Sequence, residues 1–126
     1  MKESINIKNA PIPVGPYSQA VIHNNVMYAS GQIAINPKNG ELINNDIKKE
    51  LVQILDNIDS LLEAANIKRN HILKCSIFLK NMNDFDAVNE LYAEYFDPPF
   101  PARETIEVAR LPKDVNIEIS FVASLD

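Results

Sequence analysis

The sequence predicts an α+β fold, in which a mostly antiparallel sheet carries two helices on one face. Apolar residues alternate with polar ones in short segments near both ends of the chain, as in half-buried strands. In two longer segments between them, apolar residues recur every three or four positions, as in amphipathic helices. The predicted order is β-β-α-β-α-β-β, which implies helices packed on one face of the sheet. With 126 residues, 46% of them hydrophobic, the chain is expected to form one domain, residues 1–126.

The first third of the chain is predicted to be a loop, a hairpin and a second loop. Residues 10–16 hold three prolines and a glycine, which favour an irregular, extended path. Apolar segments at 18–23 and 26–30 flank Asn24-Asn25, a pair that tolerates positive φ, so a β-hairpin is expected there. Proline, glycine and asparagine cluster again in residues 36–45, which predicts a loop.

A long helix and a strand are predicted next. Asp46 is placed to cap a helix whose apolar positions run from Ile47 to Ala65. The strand covers residues 71–80 and is half-buried. Its buried side is expected to hold Leu73, Cys75, Ile77 and Leu79, and its other side Lys74, Ser76 and Lys80.

A second helix and two closing strands complete the predicted fold. The helix runs from about Asp84 to Phe96, is capped by Asn83 or Asp84, and is stopped by residues 97–99, Asp-Pro-Pro. The strands cover 104–111 and 115–124. The apolar positions of this helix are Phe85, Val88, Leu91, Tyr92 and Tyr95.

Composition disfavours several classes of function. A net charge of −5 and a pI near 5.0 give no basic field for nucleic acid. No segment has the apolar length of a secretory signal or a membrane span, so a cytoplasmic protein without membrane contact is expected. Cys75 is expected to be a buried thiol rather than a nucleophile. The two histidines lack partners at metal-ligand spacing, so no metal and no cofactor are expected.

Two charged residues are candidates for chemistry. Arg103 follows a proline-stiffened loop at the start of a strand, where its planar guanidinium could bind a carboxylate through two parallel hydrogen bonds. The alternative is a surface salt bridge. Glu118 lies within an otherwise apolar strand and could position or deprotonate a water molecule. The alternative for Glu118 is the solvent-facing half of an alternating strand. Gly31 could offer its backbone to a small ligand.

These residues belong to segments that resemble the RidA (YjgF-type) imine deaminase family. The resemblance covers nearly the whole chain at one consistent spacing, and its most specific part surrounds Arg103. The matching segments are Ala10-Pro11 leading to Gly15-Pro16-Tyr17-Ser18-Gln19-Ala20, then Ser30-Gly31-Gln32, and then Phe100-Pro101-Ala102-Arg103, followed by residues 108–115 and by Glu118-Ile119.

The resemblance implies a chorismate-mutase-like fold and a homotrimer with a substrate cleft at each subunit interface. The implied reaction is hydrolysis of 2-iminobutanoate or 2-iminopropanoate to the 2-keto acid and ammonia, without a cofactor. Arg103 would hold the substrate carboxylate and Glu118 would orient the attacking water. The implied substrate contacts are Tyr17, Ser30, Gly31, Asn89 and Thr105.

The chain departs from the family pattern beside the arginine. Many members have cysteine where this chain has Thr105, which still offers a hydroxyl, and Glu104 adds a negative charge near the anion site. Because side chains alternate along a strand, Glu104 is expected on the face opposite Thr105. Two other functions stay open, namely a non-catalytic or chaperone-like trimer that binds small carboxylates, and the ribonuclease activity of some relatives.

Overall fold

The structure is a computed structural model that describes residues 1–126. It contains six strands and two α-helices: β1 (Glu3–Ile5), β2 (Ala20–His23), β3 (Val26–Gln32), α1 (Ile47–Ala64), β4 (Ile72–Leu79), α2 (Phe85–Tyr95), β5 (Ala102–Glu107) and β6 (Ile117–Ser124). The strands form one sheet in the order β1-β2-β3-β6-β4-β5, in which only β4 and β5 pair in parallel. The predicted α+β fold is confirmed. Neither helix combines the length and apolarity that crossing a bilayer requires.

The predicted hairpin and first helix are confirmed. Asn24 and Asn25 both have positive φ, 50° and 63°, and form the turn between β2 and β3. The Asp46 carboxylate caps α1 by accepting hydrogen bonds from the backbone N–H groups of Lys48 and Lys49, at 2.8 and 3.4 Å. The helix buries its apolar stripe, including Leu51, against the sheet in the main core.

Strand β1 was not predicted. It pairs antiparallel with β2 at the edge of the sheet, but two of its three residues are exposed. A three-residue edge strand with one half-buried side chain, Ile5, carries no alternation that a sequence pattern could reveal. At the other end of the chain, β5 begins at Ala102 and ends at Glu107, so the strand predicted for 104–111 starts earlier and is shorter.

The prediction that Leu73 is buried is wrong. Its side chain is 51% exposed because the pairing of β4 with β6 slips by one residue between Ile72 and Lys74, which is a β-bulge. From Cys75 onwards the predicted alternation holds, and Cys75, Ile77 and Leu79 are all buried.

The predicted cap of α2 is also wrong. Neither Asn83 nor Asp84 caps the helix through its side chain. Instead, Asn81 accepts a hydrogen bond from the backbone N–H of Asn83 and begins a short 3-10 turn, Met82–Asp84, that leads directly into α2. The extra turn satisfies the first backbone donors that a side-chain cap would otherwise serve.

The sheet has one face covered by the helices and one face without them, which we call the covered face and the open face. On β6, Ile117, Ile119, Phe121 and Ala123 are buried on the covered face, whereas Glu118, Ser120 and Val122 alternate with them on the open face.

A buried glutamate fixes the start of this strand. Glu50 on α1 accepts hydrogen bonds from the backbone and side-chain N–H groups of Asn116, at 2.9 and 2.8 Å.

Candidate active site

Arg103 lies on the covered face, next to α2. In the parallel pairing of β4 with β5 it stands beside Cys75, whose side chain points into the core. One guanidinium nitrogen donates a 2.6 Å hydrogen bond to the side-chain oxygen of Asn89. The guanidinium carbon lies 4.7 Å from the ring centroid of Tyr92 and 5.7 Å from that of Phe85, within the range of cation–π attraction. These contacts hold the half-buried guanidinium in one orientation.

No carboxylate neutralises Arg103. It takes part in none of the four salt bridges of the structure, so the alternative of a surface salt bridge is wrong. Burial raises the pKa of Tyr92 and of Cys75, so the two weak acids beside the guanidinium stay neutral near pH 7. A half-buried cation without a counter-ion has hydrogen-bond donors available for an anion.

Thr105 and Glu104 take opposite faces, as the alternation predicts. Thr105 shares the covered face with Arg103, and its hydroxyl oxygen is buried without a hydrogen-bond partner. Glu104 lies on the open face, where it accepts a hydrogen bond from Ser76 and forms a 2.9 Å salt bridge with Lys74. The Ser76 hydrogen bond, with help from Lys74, lowers the pKa of the Glu104 carboxyl. The extra negative charge is therefore directed away from the anion site.

Glu118 lies on the open face against Gly31. A Cβ atom added to Gly31 would clash with the Glu118 carboxylate, so only glycine permits this approach. The Glu118 carboxylate accepts no hydrogen bond and forms no ion pair within the chain, and partial burial raises its pKa. A carboxylate that is half-buried and free of protein partners is available to bind a water molecule.

If the chain hydrolyses imines, as its resemblance to the family implies, replacing Gly31 with alanine is expected to lower that activity more than stability. The added Cβ would displace only the end of a flexible side chain, so the free energy of unfolding should change by about 1 kcal/mol or less. Displacing the carboxylate by about 1 Å should lower kcat/KM roughly tenfold to a hundredfold. Thermal unfolding and an imine hydrolysis assay measure the two effects.

Gly40→Ala is the matched control for this prediction. Gly40 has φ +74° and nothing within 4 Å of an added Cβ, so alanine there strains the backbone without touching the site. The control should lose stability and keep activity. An active Gly31→Ala variant would show that the close approach of Gly31 to Glu118 has no catalytic importance.

Tyr17 and Ser30 both lie next to Gly31, Tyr17 in space and Ser30 in the chain. Tyr17 is 46% exposed, and it lines a small cleft together with Gly31 and residues 11–14. Its hydroxyl accepts a 3.2 Å hydrogen bond from the backbone N–H of Val14. The Ser30 hydroxyl donates a 2.7 Å hydrogen bond to the carbonyl of Ser18. The proton of Ser30 is thus already engaged, and its oxygen is left as an acceptor.

The predicted site residues form two separate groups. The arginine half-site contains Asn89, Arg103 and Thr105 on the covered face. The glutamate half-site contains Tyr17, Ser30, Gly31 and Glu118, where Glu118 and Gly31 meet on the open face. Because the sheet lies between Arg103 and Glu118, one copy of the chain does not bring them together.

Two aromatic residues of the arginine half-site were missed as site residues. Phe85 and Tyr92 were predicted as core positions of the second helix, and both also face the guanidinium. Their spacing from Asn89, four residues before it and three after it, puts all three on one side of a helix. That spacing, combined with the assignment of Asn89 to the site, is the signal that could have identified them. No three His, Cys, Asp or Glu side chains lie together as metal ligands would.

The fold and the two half-sites define a small α+β protein in which an arginine without a carboxylate partner lies on the covered face of the sheet and a glutamate without a protein partner lies on the open face. Comparison with known proteins shows which family this is. Residues 7–125 match the family described as Endoribonuclease L-PSP. The chain belongs to this family, whose members include the RidA (YjgF-type) proteins, and the resemblance found in the sequence is confirmed.

Individual relatives match along nearly their whole length. The chain is 52% identical to a RutC family protein of Pyrococcus horikoshii over 123 residues, 98% of each chain. It is 45% identical to the 2-iminobutanoate/2-iminopropanoate deaminase of Escherichia coli strain K12, again over 98% of each. A crystal structure of YyfA from Yersinia pestis, a conserved Rid family protein of unknown function, superposes with a TM-score of 0.95. That chain is 48% identical, and the match covers 98% of this chain and 99% of that one.

Proposed function

We propose that this protein is a 2-iminobutanoate/2-iminopropanoate deaminase, which hydrolyses reactive 2-imino acids to 2-keto acids and ammonia. The observation that carries the proposal is the guanidinium of Arg103, which is held by Asn89 and Tyr92 and has no carboxylate partner. The relatives that carry this deaminase name support the choice of substrate.

The arginine half-site would bind the substrate carboxylate. Asn89 occupies one guanidinium nitrogen, which leaves other N–H donors of Arg103 for two parallel hydrogen bonds to a carboxylate. The buried hydroxyl of Thr105, which has no partner, would supply a further hydrogen bond. The rings of Tyr92 and Phe85 would keep water away from the ion pair and thereby strengthen it.

Glu118 would act on the water. It accepts a proton from the water as the oxygen attacks C2, and the electron pair of the C=N bond moves to the nitrogen. The proton then passes to that nitrogen and gives the carbinolamine. Glu118 next transfers the proton of the C2 hydroxyl to the same nitrogen, so that the C–N bond breaks, ammonia leaves and the keto group forms. General acid–base help of this kind contributes about 10²–10⁴ in rate. The raised pKa of Glu118 suits a group that both accepts and returns a proton.

The complete site would form between copies of the chain. The positions of Arg103 and Glu118 on opposite faces support an assembly in which the arginine half-site of one copy meets the glutamate half-site of the next. The resemblance to the family implies that this assembly is a homotrimer. Half-exposed apolar side chains on the open face, Tyr28 and Ile106 among them, would become buried by this assembly. We further propose that the trimer acts in the cytoplasm, without nucleic acid or membrane partners.

Two rival functions make different demands on the site. A non-catalytic trimer that binds 2-keto acids would need Arg103 but not a free carboxylate at Glu118. A ribonuclease, as the family description suggests, would have to bind a polyanion. This protein has a net charge of −5 itself, which opposes such binding. The free carboxylate favours the deaminase over both.

A coupled assay with Glu118→Gln tests the proposal. Threonine dehydratase generates 2-iminobutanoate, and 2-ketobutyrate release is followed with and without this protein. The parent chain should accelerate release, whereas Glu118→Gln should bind 2-ketobutyrate normally and lose about 10²-fold or more in kcat/KM. Because burial raises the pKa of Glu118, the ionised base is lost as pH falls through that raised pKa. Activity should therefore decline at a higher pH than an ordinary glutamate would cause.

Each other result points to a different function. Binding of 2-ketobutyrate without turnover in the parent chain would favour the non-catalytic carboxylate-binding trimer. RNA cleavage that depends on Arg103 and Glu118, without imine turnover, would favour the ribonuclease.

A further inference from the structure

Residues 6–17, which we call the strap, lie between β1 and β2. The strap contains three prolines, which have no backbone N–H, and the only backbone–backbone hydrogen bond within it joins the N–H of Tyr17 to the carbonyl of Gly15, at 2.9 Å. Its buried backbone groups must therefore find side-chain partners. Ala10 is buried in the main core, whereas Ile12 and Val14 are exposed, so little apolar packing holds the part of the strap that follows Pro11.

The side chain of Gln19 supplies these partners. It is only 3% exposed. Its carbonyl oxygen accepts a 2.7 Å hydrogen bond from the N–H of Ile7, and its amide nitrogen lies 3.0 Å from the carbonyl of Ile7, 2.9 Å from that of Pro11 and 3.3 Å from that of Ala10. The backbone N–H of Gln19 also donates to the Asn6 side chain, at 3.3 Å. One buried amide thus binds the strap at three positions.

The same residue is bonded to the glutamate half-site. The backbone carbonyl of Gln19 accepts a 2.9 Å hydrogen bond from the N–H of Ser30, and the preceding carbonyl, of Ser18, accepts one from the Ser30 hydroxyl. Ser30 is followed by Gly31, against which Glu118 lies. Tyr17 stands two residues before Gln19, at the end of the strap. Gln19 therefore connects the strap, Tyr17 and the end of β3.

We propose that Gln19 is a positioning residue of the deaminase site. Its amide holds the strap so that Tyr17 is fixed beside Gly31, while the side chain of Gln19 stays buried under the strap. This inference rests on the proposed function, because it assigns Tyr17 a substrate contact. A rigid strap would keep Tyr17 in its binding position before the substrate arrives, which avoids the entropy cost of ordering it on binding.

Two variants separate positioning from general support of the fold. Gln19→Met keeps the length of the side chain and removes every side-chain hydrogen bond. Gln19→Glu keeps the acceptor for the Ile7 N–H but loses the donor to the three carbonyls, and it remains informative if Gln19→Met folds poorly. Gln53→Met is the matched control, because Gln53 donates a single 3.0 Å hydrogen bond, to Asn57, and forms no hydrogen bond with the strap.

The readouts are hydrogen exchange of the strap amides and steady-state kinetics with 2-iminobutanoate. We expect faster exchange at Ile7 in Gln19→Met, which alone loses the acceptor of that N–H, and faster exchange across the rest of the strap in both variants, with helix protection unchanged. We expect kcat/KM to fall about tenfold or more, mainly through a higher KM, because Tyr17 would contact the substrate in the ground state and in the transition state. Gln53→Met should change neither readout.

The inference and the proposed function fail in different ways. An inactive parent chain would overturn the proposed function, and the positioning role would fall with it. An active parent chain, together with Gln19 variants whose strap exchanges faster but whose KM and kcat are unchanged, would overturn the positioning role alone. Unchanged exchange in both Gln19 variants would overturn it as well, because the strap would then be held by other contacts.

Discussion

Replacement of Arg103 by alanine should abolish most imine hydrolysis. A carboxylate bound by two charge-assisted hydrogen bonds gains about 1.5–3 kcal/mol from each, so kcat/KM should fall by about 10²–10⁴. Arg103→Lys keeps the charge but loses both the planar fork and the geometry of the Asn89 hydrogen bond, so it should lose about tenfold or more. The assay coupled to threonine dehydratase measures both variants.

Arg110→Ala is the control for this loss. Arg110 is exposed, takes part in no salt bridge, and lies beyond the end of β5. Arg110→Ala removes one positive charge from the protein, as Arg103→Ala does, so a general electrostatic effect would appear in both variants. Undiminished hydrolysis by Arg103→Lys would contradict bidentate binding, and undiminished hydrolysis by Arg103→Ala would remove Arg103 from the site.

Two inactive variants should restore activity when they assemble together. Arg103→Ala leaves the glutamate half-site intact, and Glu118→Gln leaves the arginine half-site intact. In a ring of three subunits, any trimer containing both variants has one junction where an intact arginine half-site meets an intact glutamate half-site. Random mixing in equal amounts should therefore recover about a quarter of the parent activity, since three trimers in four are mixed and each has one working site in three.

Co-expression of the two variants under different affinity tags, followed by purification on both tags, isolates the mixed trimers alone, which should have about a third of the parent activity per subunit. Two tagged copies of Arg103→Ala, purified in the same way, provide the background. Absence of recovery in trimers that contain both variants would show that Arg103 and Glu118 act from the same chain. An assembly other than a ring of three would give a different recovered fraction.

The sequence predicted most of the fold because burial imposes periodicity. The apolar stripe of α1 and the alternation of β6 both face one core, and both appear in the sequence at the expected spacing. Leu73 was misplaced because a bulge shifts the period by one residue without any compositional signal. The cap of α2 was misplaced because several residues before the helix can serve as caps, and tertiary contacts choose among them.

The chemistry of the residues predicts only part of the site. It identifies Arg103 and Glu118, because both are charged residues in unusual strand positions, whereas the roles of Asn89 and Tyr17 are implied by the resemblance to the family. Neither source could show that Tyr92 faces the guanidinium or that Gly31 leaves room for the Glu118 carboxylate. Both contacts join residues far apart in the sequence, and side-chain packing across elements determines them.

The placement of Arg103 and Glu118 on opposite faces of one sheet has a consequence for how activity would be lost. Under the proposed assembly, a separated subunit would keep its fold and both half-sites and yet hydrolyse nothing. Dilution would then inactivate the enzyme by dissociation, at temperatures where every chain is still folded. Activity per subunit would rise with protein concentration. We expect the concentration at half-maximal specific activity to report the dissociation constant of the assembly.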